Sequence, residues 1–184
     1  FPDADQFKGQ VVHPQLWPED LDYSGKRIVV IGSGATAITL VPSLAKTAAH
    51  VTMLQRSPTY VLSRPDVDSF SQKLRRWFPE QFAYDLTRWK NVTAQAILFQ
   101  LSRRFPNYVK KLVRKVVHAW MGDDFDIDTH FNPSYNPWDQ RLCLVPNGDL
   151  FRSLRKGTSS IVTDHIERFT ENGIQLKSGE ILEA

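Results

Sequence analysis

One short segment constrains the fold of this chain more than any other: an apolar run that ends in two closely spaced glycines. Residues 26–37 read KRIVVIGSGATA, in which Ile28 to Ile31 have the length and composition of a buried parallel strand. Gly32 and Gly34 follow at once, and the sequence after them predicts a helix from about Ala35 to Ala45. A strand, a glycine turn and a helix in this order predict an α/β domain with a parallel sheet.

The spacing of the small residues also predicts what the turn binds. Gly32, Gly34 and Ala37 form the pattern G-x-G-x-x-A. The first glycine allows the tight turn, the second lets the backbone approach a pyrophosphate, and the alanine lets the helix pack close to the strand. Free N–H groups and the positive end of the helix dipole favour phosphate there. We interpret the loop as a Rossmann-type dinucleotide-binding site, with a plain structural turn as the alternative. The predicted cofactor-binding residues are Gly32, Ser33, Gly34, Ala35, Thr36 and Ala37.

The second predicted strand, His50 to Gln55, indicates which dinucleotide binds. An NAD-specific site places an Asp or Glu about 20 residues further on, where it binds the ribose 2′-hydroxyl. Here Arg56 and Ser57 follow the strand instead. A guanidinium can hold two oxygens of a 2′-phosphate at once. Arg56 and Ser57 therefore predict a preference for NADP(H), and the alternative is that Arg56 is only a solvated residue at a strand end.

Composition excludes several classes of protein. The 184 residues include 5 Trp, 5 Tyr and 11 Phe, which excludes a disordered chain. Cys143 is the only cysteine, so no disulfide forms within the chain, and a reducing, cytoplasmic setting is favoured. No apolar run approaches the ~18 residues of a membrane span, which predicts a soluble protein. A formal net charge of +3 indicates no nucleic-acid partner. Because the sequence begins at Phe1, we expect it to be part of a longer protein.

The stretch before the glycine turn carries no catalytic pattern. Residues 7–18 read FKGQVVHPQLWP, in which His13 has no Cys, His or Asp at metal-ligand spacing. Pro14 favours an extended or turning backbone. Two aromatics and a glycine around the histidine predict a segment that packs at a few points yet bends. We therefore interpret residues 1–24 as a linker between two domains.

The middle of the chain predicts a helical insertion over residues 66–122. Apolar residues recur there at spacings of three and four, in the sets Leu74, Trp77, Phe78; Ala94, Ile97, Leu98, Leu101; and Tyr108, Leu112, Val116, Trp120. Between residues 73 and 115, eleven basic residues accompany only Glu80 and Asp85 as acids. A solvated basic helix face is the plainer explanation. Attraction of an anionic cofactor and docking to an acidic lipid surface stay open as alternatives.

Residues 25–65 and 123–184 are predicted to form the nucleotide-binding domain around this insertion. The stretch 123–151 is rich in Pro, Asn and Asp and is predicted to be largely loop. Its acidic run and His130 lack the calcium-loop pattern and the paired-histidine spacing, so we predict no metal site. Residues 160–182 alternate around two turn signals, at 171–173 and 177–179, and predict a β-meander.

Two segments resemble a known family. Phe7, Gly9, His13, Trp17 and Pro18 resemble the F-x-G-x-x-x-H-x-x-x-W-P fingerprint of the type I Baeyer–Villiger monooxygenases. The resemblance implies that Phe7, Gly9, His13 and Trp17 belong to a hinge between an FAD domain and an NADPH domain. His13 would then act through domain movement and not through bond chemistry.

The segment NPWDQRLCLVP resembles the same family, especially the branch with the ethionamide-activating enzymes. The resemblance places Arg141 at the active-site arginine, which holds the oxygenated flavin as its anion and stabilises charge as the oxygen–oxygen bond breaks. Gln140 stands where many members of the family have a lysine that contacts the 2′-phosphate. The resemblance therefore implies that Arg56 carries more of the selectivity for NADPH over NADH. Cys143 is interpreted as a small buried residue.

The resemblance implies a reaction for the longer protein. NADPH reduces FAD, the reduced flavin takes up O₂, and one oxygen atom enters a ketone or a heteroatom such as sulfur. An N-hydroxylating or dimethylaniline-type flavin monooxygenase is an alternative, which Trp17 disfavours because those relatives usually lack the tryptophan. A non-catalytic nucleotide-binding module is the alternative from another class.

Overall fold

The chain alternates strands and helices until its last third, which ends in short antiparallel strands. The structure, a computed structural model, describes residues 1–184. In chain order the elements are β1 (Arg27–Ile31), α1 (Ala35–Leu44), β2 (His50–Gln55), β3 (Tyr60–Arg64), α2 (Ser69–Trp77), α3 (Glu80–Arg104), α4 (Pro106–Met121), α5 (Ile127–Phe131), β4 (Leu142–Pro146), α6 (Asp149–Arg155), β5 (Ser159–Thr163), β6 (Ile166–Thr170), β7 (Gly173–Leu176) and β8 (Ile181–Glu183). Single 3-10 turns at Ala4–Gln6 and Pro14–Leu16 precede them. The α/β class, the inserted helices and a C-terminal meander are confirmed. The prediction that the meander begins at residue 160 is wrong, because β5 pairs parallel with β2 and only β6, β7 and β8 pair antiparallel.

Parallel pairing brings the carboxyl ends of the first strands together. In the three-stranded sheet β2 lies between β1 and β5, and all three run parallel. Ile31 pairs with Leu54, and Gln55 pairs with Thr163, so the three strands end at one edge. A second, two-stranded parallel sheet joins β3 to β4. The edge formed by strand carboxyl ends is where open α/β sheets bind ligands.

The central sheet is covered on both faces. Val51 and Met53 of β2 belong to the main core, which also includes Ile38 and Val41 of α1. Leu54 points to the other face and packs with residues of the meander formed by β6, β7 and β8. Side chains alternate across a strand, so β2 serves both cores at once. The prediction of a buried strand at Ile28 to Ile31 is wrong in degree: β1 lies at an edge of this sheet, its three central residues are half-buried, and Ile31 is 43% exposed.

The insertion begins with a capped helix. The Asp68 carboxylate accepts hydrogen bonds from the backbone N–H groups of Phe70 and Ser71, at 3.0 and 3.2 Å, and so caps α2. Lys90 of α3 donates to the same carboxylate at 2.6 Å. This hydrogen bond from Lys90 lowers the pKa of Asp68 to about 2. The cap thus ties α2 to α3.

No helix of the chain is both long and apolar enough to cross a membrane.

Helix α4 buries a different stripe from the one its periodicity suggests. The sequence pattern groups Tyr108 and Leu112, yet these side chains are 68% and 47% exposed. The stripe one residue further on, Val109, Val113 and Val117, lies in the main core. Both stripes are apolar with helical spacing, so the periodicity alone does not distinguish them.

The prediction that residues 123–151 are largely loop is wrong in part. The stretch holds α5, β4 and the first turn of α6. Pairing explains β4, because Leu142 and Val145 sit in register with Tyr60 and Ser63 of β3. A strand that pairs with a partner far back in the chain has no local turn signal to announce it.

Candidate functional site

The glycine turn has the geometry that a pyrophosphate requires. Gly32 has a φ of +123°, a conformation that strongly favours glycine, and its N–H donates to the carbonyl of Leu54 at 2.7 Å. Gly34 is the N-cap residue of α1, and no side chain caps the helix. A Cβ atom at Gly32 or Gly34 would meet no other atom within 4 Å. The first turn of α1 therefore offers N–H groups without intrahelical partners beside open space, which fits a phosphate group.

A second strand–glycine–helix turn in the chain lacks this open space. Gly148 lies between β4 and α6 with a φ of +71°. A Cβ atom there would lie 2.6 Å from the ring of Trp120, which stacks on Phe151 at a centroid distance of 5.8 Å. The Trp120 ring thus fills the space beside this glycine, whereas the corresponding space at Gly34 is open. The turn at Gly32 is the open one of the two, so this chain offers one dinucleotide cradle.

Arg56 and Ser57 lie directly after β2, at the same sheet edge as the glycine turn. Both residues are exposed. The Arg56 guanidinium forms no ion pair and no hydrogen bond within the chain. A cation without an internal partner at this edge is free to bind an anionic ligand.

Buried polar contacts hold this loop at both of its ends. The side-chain amide of Gln55 donates to the carbonyl of His130 and to the Thr163 hydroxyl, each at 2.8 Å. At the other end, the hydroxyls of Thr59 and Ser33 are 2.9 Å apart and buried. Ser33 belongs to the glycine turn, so this contact joins the predicted pyrophosphate loop to the predicted 2′-phosphate loop. Neither Gln55 nor Thr59 was predicted as a site residue, and the one available signal was a polar glutamine that ends β2 directly after Met53 and Leu54.

Hydrogen bonds from two tyrosines fix the backbone at Arg141. The Tyr60 hydroxyl donates to the carbonyl of Tyr135 at 2.7 Å, and the Tyr135 hydroxyl donates to the carbonyl of Arg141 at 3.0 Å. Burial raises the pKa of Tyr60 to about 12, so its hydroxyl keeps its proton at neutral pH. The Arg141 side chain is exposed and has no ion-pair partner within the chain. The sequence carried no signal for either tyrosine.

Strand register brings Arg141 to the same end of the molecule as the glycine turn. Arg141 directly precedes Leu142, which is the register partner of Tyr60. Tyr60 directly follows Thr59, which contacts Ser33. The structure thus gathers the glycine turn, the Arg56 loop and the Arg141 backbone around the start of β3. Their roles as ligands and catalyst stay predictions.

The residues predicted to form a hinge lie in the segment before β1, outside the cluster around the start of β3. Phe7 packs edge-on against Phe169 of the meander at 6.0 Å. A Cβ atom at Gly9 would clash with the Phe7 ring, which explains why this position is a glycine. Trp17 packs edge-on against Tyr23 at 6.0 Å. Phe7 therefore touches the meander, as does Lys8, which pairs with Glu171 at 2.7 Å, whereas the Trp17–Tyr23 contact lies within the first 24 residues. The hinge role stays a prediction.

His13 is exposed and makes one local contact. Its Nδ1 atom accepts a hydrogen bond from the backbone N–H of Gln15 at 3.3 Å. No three His, Cys, Asp or Glu side chains in the chain are grouped as a metal site would need. The acidic run near His130 is engaged in other contacts: Asp126 caps α5 through the Thr129 N–H at 3.0 Å, and Asp128 pairs with Arg114 at 2.7 Å.

Cys143 occupies the core, as predicted. Its side chain lies in the main cluster and is 6% exposed. Burial raises the pKa of the thiol, so it stays protonated at neutral pH and has the character of a small apolar residue.

Known proteins match this chain over its whole length. The FAD-containing monooxygenase EthA from Mycolicibacterium smegmatis and from Mycobacterium tuberculosis is 55% identical over 185 aligned residues. The probable FAD-binding monooxygenase AlmA from Acinetobacter baylyi is 56% identical. Each alignment covers 100% of this chain, and the chain spans 37–38% of the length of these relatives.

Solved structures share the fold. An oxidized steroid monooxygenase bound to NADP superposes with a TM-score of 0.74 at 19% identity, covering 100% of this chain and 41% of that one. A cyclohexanone monooxygenase from Rhodococcus sp. Phi1 bound to NADP⁺ gives 0.68 at 20% identity, covering 99% and 41%. The sequence profile of flavin-binding monooxygenase-like proteins, FMO-like, matches residues 1–183. This chain therefore belongs to the flavin-binding monooxygenase-like family.

Proposed function

We propose that this chain is the NADPH-binding unit of an FAD-dependent type I Baeyer–Villiger monooxygenase. The observation that carries the proposal is the open glycine turn at Gly32 and Gly34 joined by the Ser33–Thr59 contact to the loop that holds Arg56. Family membership supports a flavin-dependent oxygenation, and the fingerprint with Trp17 favours the Baeyer–Villiger branch. The relatives named above are FAD-containing or FAD-binding monooxygenases.

Three groups of this chain have distinct tasks in the proposal. The N–H groups that open α1 bind the pyrophosphate of NADPH, and Arg56 with Ser57 binds the 2′-phosphate. Arg141 carries a permanent positive charge and stabilises the negative charge that develops as the oxygen–oxygen bond breaks. The Tyr60 and Tyr135 hydrogen bonds hold the backbone from which Arg141 extends. FAD, when bound, accepts the hydride and reacts with O₂.

The flavin is held by the rest of the full-length protein. Trp120 fills the second glycine turn of this chain, which leaves the Gly32 turn as its one dinucleotide cradle. The fingerprint residues around His13 then connect the two nucleotide-binding parts. The substrates are a ketone or a sulfur- or nitrogen-containing small molecule together with O₂, and oxygenation of a ketone or a sulfide is what distinguishes this function from that of an enzyme that only N-hydroxylates. The single cysteine supports a cytoplasmic location for the protein.

An isotope experiment on the full-length protein tests this function. The purified protein receives NADPH and ¹⁸O₂ with a cyclic ketone, an organic sulfide or a primary amine. We expect one ¹⁸O atom in the lactone or the sulfoxide, with the second oxygen released as water and one NADPH oxidised per product.

The three substrates separate the alternatives. Oxygenation of the amine alone would point to an N-hydroxylating enzyme. Stoichiometric binding of NADPH with no product from any substrate, in protein that holds FAD, would point to a non-catalytic nucleotide-binding module. Either result would contradict the proposal.

A further inference from the structure

The loop that carries Arg56 and Ser57 is bracketed by two buried polar side chains. Gln55 is 2% exposed and Thr59 is 1% exposed, whereas Arg56 and Ser57 between them are exposed. Buried polar groups are costly unless they are hydrogen-bonded, and both of these are. An exposed loop with buried polar anchors at both ends has its position set by those anchors.

The anchors reach different parts of the site. Gln55 donates from one amide nitrogen to the His130 carbonyl and the Thr163 hydroxyl, and so ties the end of β2 to the end of β5. Thr59 contacts Ser33 across 26 residues of sequence and so ties the start of β3 to the glycine turn. The Thr59 contact therefore fixes the spacing between the N–H groups that open α1 and the backbone of the loop that carries Arg56.

We propose that Thr59 and Gln55 are positioning residues that determine the selectivity for the 2′-phosphorylated dinucleotide. The proposal rests on the NADPH-binding function stated above. A ligand that carries both a pyrophosphate and a 2′-phosphate must engage the glycine turn and Arg56 at the same time. Preorganised spacing strengthens such two-point binding because less backbone freedom is lost when the ligand enters. NAD⁺ uses the pyrophosphate site alone at this edge, so it gains less from the fixed spacing.

The measured quantity is the ratio of the dissociation constants of NAD⁺ and NADP⁺. Isothermal titration of the full-length protein gives both constants without any turnover. Thr59→Val keeps the shape of the side chain and removes its hydroxyl. We expect it to lower the ratio about tenfold, equivalent to about 1.4 kcal/mol. Thr59→Ser restores the hydroxyl and is expected to return the ratio to within about twofold of the wild-type value.

A second buried hydroxyl pair supplies the matched control. Ser159 donates to Ser153 at 2.8 Å, and the two residues are 4% and 7% exposed. Ser159 is the first residue of β5, at the end of the sheet opposite to the candidate site. Ser159→Ala therefore removes a comparable buried contact, and we expect the ratio to stay at the wild-type value even if the melting temperature falls.

Gln55→Met and Ser33→Ala provide independent variants should Thr59→Val fail to fold, which circular dichroism monitors. Both are expected to lower the ratio. A high ratio that is equal in the wild type and in every folded variant would overturn the positioning role and leave the proposed function intact. A ratio near one in the wild type would instead contradict the NADPH preference itself. A fall of the ratio in Ser159→Ala as large as in Thr59→Val would show a general loss of stability and would also overturn the positioning role.

Discussion

Arg141→Ala in the full-length protein is expected to lower the rate of oxygen transfer by about 10²–10³-fold, while NADP⁺ still binds. The reason is the permanent charge of the guanidinium, which stabilises negative charge at the reacting oxygen in a way that water does not reproduce. The fold is expected to survive, because the Arg141 side chain is exposed and unpaired, and the hydrogen bond from Tyr135 goes to its backbone carbonyl. Alanine keeps that carbonyl.

Single-turnover rapid-quench experiments measure the rate of product formation without interference from NADP⁺ release. The oxidation of NADPH and the formation of hydrogen peroxide are followed in parallel, since a protein that reduces O₂ without transferring oxygen still consumes NADPH. Arg141→Lys is the matched control: it keeps a positive charge and is expected to retain more activity than alanine. Product formation at the wild-type rate by a folded Arg141→Ala protein would show that Arg141 has no part in the reaction.

Arg56→Asp is expected to lower the preference for NADPH over NADH by at least about 100-fold. Charge-assisted hydrogen bonds contribute about 1.5–3 kcal/mol each, and the new carboxylate repels the 2′-phosphate while accepting a hydrogen bond from the 2′-hydroxyl of NADH. Arg56 has no partner within the chain, so its loss leaves no buried group unpaired. Titration of both cofactors measures the preference directly.

Arg76→Asp is the matched control for this change. Arg76 lies in α2, is exposed and forms no ion pair, so the substitution changes the net charge equally at a distance from the glycine turn. We expect this variant to keep the wild-type preference. If Arg56→Asp also kept it, Arg56 would not be the ligand of the 2′-phosphate.

Local signals account for the parts of the fold that the sequence predicted well. The bounds of β2 match the predicted run, and α1 ends one residue before the predicted end. These elements are specified by neighbouring residues: an apolar run, two glycines and a helix that follows at once. The strand β4 was missed because its partner β3 lies about 80 residues earlier in the chain. The buried stripe of α4 was missed because two apolar stripes have the same spacing.

The candidate site also combines features that are local in the sequence with contacts between distant residues. The glycine turn and Arg56 were identified from local patterns in the sequence, and their roles as ligands stay predictions. The contacts of Thr59 with Ser33 and of Tyr60 with Tyr135 join residues 26 and 75 positions apart. A threonine or a tyrosine has the same local appearance whether it lies on the surface or anchors a loop, so these roles emerge only from the packed structure.

The most direct test of the central claim uses the purified 184-residue chain itself. After circular dichroism has shown that the chain is folded, one portion is incubated with FAD and passed through gel filtration, and the visible spectrum of the eluted protein is recorded. A second portion is mixed with NADP⁺, and its melting temperature is measured. We expect no flavin absorbance with the protein, because the one open glycine turn has Arg56 beside it and Trp120 fills the other. We expect NADP⁺ to raise the melting temperature of the second portion above that of the chain without ligand. Flavin that elutes at one molecule per chain, with no stabilisation by NADP⁺, would contradict the assignment of this chain to NADPH.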